Sequence, residues 1–289
     1  MEEKNLKTID NDKWDRVISG RRSLLDFQLD RVWEYRDLIL LFVKRDFITY
    51  YKQTIFGPLW YLLQPICSTI MYMLIFGTLA NIGTDSVPQV LFYFSGTMLW
   101  TFFSGNLKEV SNVFTTNKNI FGKVFFPRLV VPIATTISLL IKLGIQFFLF
   151  LLLYAYYLIN GMRVTSFPKI FLFPIVILWI SVFSCGIGMI ISSITTKYKD
   201  LALILDFFIS LAMYAAPVVY PLSEVPNNIR LLVVLNPVSV MIELFRYCFF
   251  GVASITNGMV LYSFLSTVSV ILVGLLMFNH NERTFIDVI

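Results

Sequence analysis

Charge is scarce in this chain. Asp, Glu, Lys and Arg make up 14% of its 289 residues, against 57% hydrophobic residues. A soluble domain of this size cannot bury so much apolar surface, so the composition points to an integral membrane protein. Histidine is scarcer still. The one histidine, His280, lies in the C-terminal segment, so no histidine pair can hold a metal or relay a proton. Cys67, Cys185 and Cys248 stand far apart inside apolar segments. That spacing fits small buried hydrophobes and offers neither a disulfide framework nor a metal site. The G-x-S-x-G elbow is missing, and so is G-x-x-x-x-G-K-[ST], so the chain does not hydrolyse ATP by the P-loop route. The first 25 residues are charged and lack an apolar core, so no signal peptide is expected. No internal repeat and no ladder of intramembrane charges appears, which argues against an ion-coupled transporter or a voltage sensor. The residues favour no enzyme class.

What the chain does have is apolar runs of membrane length. An apolar run of about 20 residues spans a bilayer as a helix. Six segments meet or approach that length: Gly57–Leu79, Pro88–Phe103, Val131–Tyr157, Ile170–Ile194, Leu201–Tyr220 and Thr256–Phe278, the second being the shortest. An even number puts both termini on one side. Residues 1–56, 104–130, 195–200 and 279–289 carry 18 Lys and Arg, eleven of them before Phe56, whereas the opposite loops carry four, Arg163, Lys169, Arg230 and Arg246. The positive-inside rule makes both termini cytoplasmic. A basic lead-in beside a membrane helix fits anionic lipid better than nucleic acid.

The resulting fold class is an all-α membrane protein in four parts: a lead-in over 1–32, an amphipathic helix over 33–56, a six-helix membrane domain over 57–278 and a tail over 279–289. In the amphipathic part Ile39, Leu40, Val43, Phe47, Tyr50 and Tyr51 share one face, and Arg45, Asp46, Thr49, Lys52 and Gln53 the other. That is the pattern of a helix lying in the interface plane, or of one packed on a soluble domain. Gly57-Pro58 joins it directly to the first span. Glycine permits the bend, and proline in a first helical turn loses no hydrogen bond, so the pair is a candidate hinge. Between the last two spans, prolines 217, 221, 226 and 237 cut an apolar stretch into pieces too short to cross. Residues 222–250 therefore read as two short helices dipping into the outer leaflet, turning at Asn236-Pro237, or as an amphipathic outer loop. Glu243 and Arg246, three apart, share a helix face and can pair there. Of the other charges in apolar segments, Asp206 reaches toward the cytoplasmic interface, while Lys142 either finds a carboxylate or snorkels. Two short cytoplasmic loops, 106–128 and 192–205, either dock a partner or are solvated turns. Asp200 sits near the N-cap of the fifth span. Aromatics are plentiful, with 28 Phe, 14 Tyr and 5 Trp. They suit a tunnel for sugar rings as well as they suit interface belts and membrane cores.

"RDFITYYKQTIFGPLWYLLQP" (45–65) resembles the N-terminal signature of ABC-2 type permeases that export bacterial polysaccharides. The matching residues are Arg45-Asp46, Tyr51-Lys52, Gly57, Leu59-Trp60 and Pro65. "NKNIFGKVFFPR" (117–128) is similar to a family loop with Ile120 in place of leucine. "KYKD" (197–200) is similar to its Tyr-Arg-Asp loop with Lys199 for arginine, and "FNHNERTFIDVI" (278–289) to its tail with Ile286 for alanine. The likeness runs through nearly the whole chain in order. It implies a homodimeric channel in the bacterial inner membrane, with two copies of a separate ATP-binding subunit that holds the ATP and Mg; this chain holds no cofactor and no metal. It implies a lipid-linked glycan as cargo: O-antigen, capsule or teichoic acid. Trp60, Tyr61, Tyr72, Phe207 and Tyr214 are then expected to line the channel. Lys118, Lys123, Arg128, Tyr198, Lys199 and Asp200 are expected to couple to the ATPase. Arg45, Tyr51, Lys52, Gly57 and Pro58 would form the interface helix and hinge, and Pro237, Glu243 and Arg246 the outer gate. The alternatives are an ABC-2 exporter of small hydrophobic drugs, a membrane-bound transferase and a passive channel.

Overall fold

The computed structural model describes residues 29–52, 56–121, 123, 124, 126–162, 167–195, 200–252 and 254–288, and all regular structure among these is helical. In chain order the helices are α1 (Leu29–Glu34), α2 (Arg36–Tyr51), α3 (Trp60–Tyr72, continuing through a π-helical segment to Leu79), α4 (Gln89–Ser111), α5 (Val113–Thr116), α6 (Lys118–Phe121), α7 (Val130–Ile159), α8 (Phe173–Thr195), α9 (Asp200–Tyr214), α10 (Asn227–Leu235), α11 (Pro237–Phe250) and α12 (Asn257–Val288). Four stretches are long and apolar enough to cross a membrane: Trp60–Leu79, Val130–Ile159, Lys169–Thr195 and Asn257–His280.

The departures from the six expected segments have local causes. α4 runs on past Phe103 to Ser111, through Asn106, Lys108 and Glu109. Asn106 is buried against neighbouring helices, whereas Lys108 and Glu109 are exposed to a cavity; 16 of the 23 residues of α4 are buried. α9 has 15 residues and spans only about 22 Å. It stops at Tyr214 because Pro217 has no N–H and its ring opposes helix in the residues before it. α10 and α11 are the two expected short helices, and they meet at 96°. Asn236 caps α11, its side chain accepting from the Val238 N–H at 3.1 Å, with Pro237 in the first turn. Gly251, at φ 72°, ends it. The expected tail is helical, a continuation of α12 to Val288.

α4 stands at the centre, against α3, α7, α8, α9 and α11. Close helix approaches are made by glycines, the usual device where lipid gives helices no hydrophobic reason to associate. A Cβ on Gly274 of α12 would lie 2.6 Å from the Gly186 carbonyl of α8, and one on Gly188 would lie 2.7 Å from Val110 of α4. A polar knot fastens a neighbouring junction. Buried Asn106 donates to Ser184 Oγ at 2.7 Å, and Thr136 Oγ1 donates to Asn106 Oδ1 at 3.0 Å, joining α4, α8 and α7.

Apolar packing divides in two. The larger core joins α4, α7, α8 and α11 around Phe92, Phe150, Phe245 and Phe249. The second joins α1 and α2 to the 106–131 region and to α8 and α12, through Val32, Phe42, Phe114, Phe126 and Phe278. Phe114 stacks on Phe278 at 4.7 Å, and Phe42 meets Phe126 at 5.9 Å. α2 therefore packs on its neighbours through Phe42 and Val43, but it does not sort apolar inward and charge outward throughout. Leu40, Leu41 and Ile48 are exposed, whereas Arg45, Asp46 and Thr49 turn toward a cavity against α4 and α7.

Candidate functional site

A groove of about 850 Å³ opens between α3, α4, α7 and α9. Its lining is mixed in chemistry. Trp60 and Tyr61 supply aromatic surface, Gln64 and Gln146 amides, and Thr101, Ser104 and Ser210 hydroxyls. Lys108 of α4 and Asp206 of α9 close it with a half-exposed ion pair, Nζ to Oδ1 2.9 Å. Lys142 projects from α7 with its ammonium 5.2 Å from the centre of the Tyr61 ring.

The position of Gln146 follows from one proline. In a regular helix the N–H of residue 65 would donate to the carbonyl of Tyr61, but Pro65 has none. The buried Gln146 fills the vacancy, its Nε2 donating to Tyr61 O at 3.0 Å. A neighbouring helix thus satisfies the backbone that proline frees, as an apolar surrounding requires. The same bond fixes the start of α3, and with it Trp60 and Tyr61, against α7.

A second cavity of about 290 Å³ lies beneath α2 and shares Glu109, Leu139 and Lys142 with the groove, so the polar lining is continuous. Here Arg45 pairs with Asp46 at 2.8 Å, Asp46 accepts from Ser138 at 3.3 Å, and Arg45 reaches Asn117 Oδ1 at 3.4 Å. Across both cavities three basic residues (Arg45, Lys108, Lys142) face three acidic ones (Asp46, Glu109, Asp206). Balanced charge makes this a poor trap for a bare ion. Carboxylates, amides and hydroxyls beside exposed aromatic faces suit a ligand rich in hydroxyls with apolar C–H faces. Among the described residues no three His, Cys, Asp or Glu side chains gather as a metal site.

Of the residues expected to line a channel, Trp60 and Tyr61 line this groove. Tyr72 donates to Met213 Sδ at 3.4 Å and ties α3 to α9. Phe207 and Tyr214 are exposed, one helical face with Leu211, while α9 turns Asp206, Ile209 and Ser210 to the groove. Gln64, Lys108, Glu109 and Gln146 were not singled out from the sequence. Lys142 and Asp206 were, as charges in apolar segments, but not as two walls of one cavity.

Of the coupling residues, Lys118 and Lys123 are exposed and Asp200 opens α9, also exposed. Arg128 is inside instead, 6% exposed with its guanidinium 5.4 Å from the Phe121 ring. It therefore braces the base of its loop and is not available as a surface contact. Tyr198 and Lys199 lie outside the described residues. Gly57 adopts φ 49° and opens a 3-10 turn, Gly57–Leu59, that includes Pro58. α2 ends at Tyr51, and Lys52 follows it exposed. In the α10–α11 pair, Pro237 starts α11, and Glu243 and Arg246 form a buried ion pair at 3.0 Å.

Residues 37–250 match the family model described as ABC-2 type transporter. The chain is 25% identical over 260 residues to an O-antigen export system permease protein, RfbA, of Klebsiella pneumoniae, covering 88% of this chain and 95% of that one. It is 26% identical over 223 residues to the RfbA of Myxococcus xanthus, covering 76% and 82%. To the polysialic acid transport protein KpsM of Escherichia coli it is 21% identical over 236 residues, covering 80% and 88%.

Proposed function

This chain belongs to the ABC-2 type transporter family, and from that premise we propose that it is the membrane permease subunit of an ATP-driven exporter of a polysaccharide. The observation that carries the cargo is the groove. Its amides, hydroxyls and carboxylates, interleaved with Trp60 and apolar side chains and with charge balanced, fit a glycan, which presents both hydroxyls and C–H faces. The relatives named for O-antigen export and for polysialic acid transport support the same cargo class.

In this reading the permease works as a homodimer in the bacterial inner membrane, with both termini cytoplasmic. α4 and α9 complete six spans with the four that are apolar enough alone, and α10 and α11 form the outer gate. Two copies of a separate ATP-binding subunit supply the hydrolysis. They dock near the exposed Lys118 and Lys123, near Asp200, and near Tyr198 and Lys199. The cargo is a lipid-linked glycan whose sugars pass Trp60, Tyr61 and the exposed strip of Phe207 and Tyr214. Motion reaches the first span through α2 and the Gly57-Pro58 corner.

The test is complementation of a strain lacking this gene, with surface glycan quantified by lectin or antibody. The intact chain restores the glycan. Trp60→Ala and Gln64→Ala lower export by about tenfold each at equal membrane abundance, as expected for losing a contact worth about 1.4 kcal/mol. Unchanged surface glycan in the strain without the gene would sink the reading.

A further inference from the structure

α9 is held unevenly. None of its side chains among the described residues is buried, and at its cytoplasmic half the half-exposed Lys108–Asp206 pair ties it to α4. Immediately beyond its outer end the situation inverts: Ala216, Pro217, Val218 and Val219 are all buried. Their backbone has left the helix, so the carbonyls of Pro217 and Val218 have no helical N–H to bond. Arg246 of α11 takes both. Its Nη1 donates to Pro217 O at 2.6 Å and its Nη2 to Val218 O at 3.1 Å.

The two terminal nitrogens make further contacts, while the buried Nε has no hydrogen-bond partner among the described residues. Nη1 meets Glu243 Oε1 at 3.0 Å, Nη2 reaches Phe92 O at 3.4 Å, and the charge lies 3.6 Å from the centre of the Phe92 ring. Glu243 on the same helix already neutralises the charge, so the other N–H groups of Nη1 and Nη2 hold backbone. A planar fork of several donors can do this; a single ammonium on a flexible stem cannot cover the same directions. Room for the fork comes from Gly96 of α4, where a Cβ would stand 2.6 Å from Val218 O and 2.9 Å from Arg246 Nη2. α11 is itself anchored, with the Tyr154 hydroxyl donating to Phe249 O at 2.8 Å and the Lys169 ammonium 4.1 Å from the Tyr247 ring. Arg246 therefore fastens the outer end of α9 to the fixed part of the bundle.

We infer that Arg246 is a positioning residue that pins the outer end of α9, so that α9 opens the groove by swinging about residues 216–219 and not by sliding along its axis. The inference rests on the permease reading for its purpose, and on geometry alone for its motion. A rod pinned at one end moves in proportion to distance from the pin. Leu201 and Leu211 stand about 24 and 9 Å from residue 217 along a helix. A swing displaces Leu201 roughly 2.7 times as far as Leu211; a slide displaces both equally.

The experiment uses the chain in lipid nanodiscs, with Cys67, Cys185 and Cys248 replaced by Ser. Spin labels are placed at Leu201→Cys or Leu211→Cys, with a reference at Leu152→Cys on α7. Distances are measured with and without Asp206→Asn, which releases the ion pair and needs no nucleotide, and again in the complex with the cognate ATP-binding subunit and ATP. The expected result is a shift of about 2–5 Å at Leu201, the scale of helix movements in switching proteins, and a smaller one at Leu211. Gly96→Ala and Arg246→Lys then let the Leu211 distance move as far as that of Leu201. Should Arg246→Lys fail to accumulate, Gly96→Ala decides, since it presses on Val218 O without removing a buried charge. Equal shifts at both sites in the parent, no shift at either, or variants as firmly held as the parent, would overturn the pin. A swing in a chain that restores no surface glycan would leave the pin standing and remove the cargo.

Discussion

Pro65 governs a residue 81 positions away, because removing one N–H from α3 leaves Tyr61 O to be satisfied by Gln146 of α7. The relation is testable as a cycle. Gln146→Leu strands a buried carbonyl and should cost about 1 kcal/mol, the range of interhelical hydrogen bonds in membranes. In a Pro65→Ala background residue 65 can donate to Tyr61 itself, and the same Gln146→Leu change should cost markedly less. Thermal unfolding of the four purified chains in one detergent measures the coupling, and additive effects would show that the two residues do not act together. The proline was visible in the sequence and its missing donor calculable from it. The identity of the replacement donor was not, because it depends on which helix lies alongside. Arg128 teaches the same lesson with the opposite sign: a basic residue closing a basic loop looks like a docking contact, and only the ring of Phe121 beneath it shows that it braces.

Between elements, close approach and punctuation differ in how far sequence betrays them. The Asn236-Pro237 corner and the bend at Gly57 are local chemistry and were legible in outline, whereas α9 was expected to run on to Tyr220 and stops short of Pro217. The glycine contacts were not, since a helical glycine carries no sign of what faces it. Gly274 and Gly144 separate the two cases. A methyl on Gly274 must push the α8 backbone away, and Gly274→Ala should destabilise by about 1–3 kcal/mol, as overpacking does. Gly144 of α7 has nothing within 4 Å of its added Cβ. Gly144→Ala should be neutral or stabilise by about 0.5–1 kcal/mol through helix propensity. Detergent-resistant melting of the two variants beside the parent checks both, and equal melting points would remove the packing argument. α2 belongs here too. Periodicity identifies two faces, but it does not say that Arg45 and Asp46 of the polar one line a cavity with Glu109, Ser138 and Lys142 while Lys52 stays exposed.

At the scale of the whole molecule, the proposed pairing of two copies into one channel has a quantitative consequence. If an inactive chain, Trp60→Ala with Gln64→Ala, is co-expressed with an equal amount of active chain, random pairing leaves about a quarter of the dimers with two active copies. Surface glycan export should fall toward that fraction of the export given by the same total amount of active chain. Export near one half would mean that each copy works alone. The molecule also has a feature that bears on how it is made. α4 is its most enclosed long helix, yet it is absent from the stretches apolar enough to cross a membrane unaided. Its neighbours α7 and α8, which accept Asn106 through Thr136 and Ser184, are synthesised later. During translation α4 therefore leaves the ribosome before the surfaces that make it acceptable in a bilayer exist. It must wait at the insertion machinery, or beside it, until α8 arrives. A nascent chain truncated shortly after Ser111 should be extracted and degraded, whereas one released after Thr195 should persist, and the lifetime of such fragments becomes a clock for assembly of the bundle.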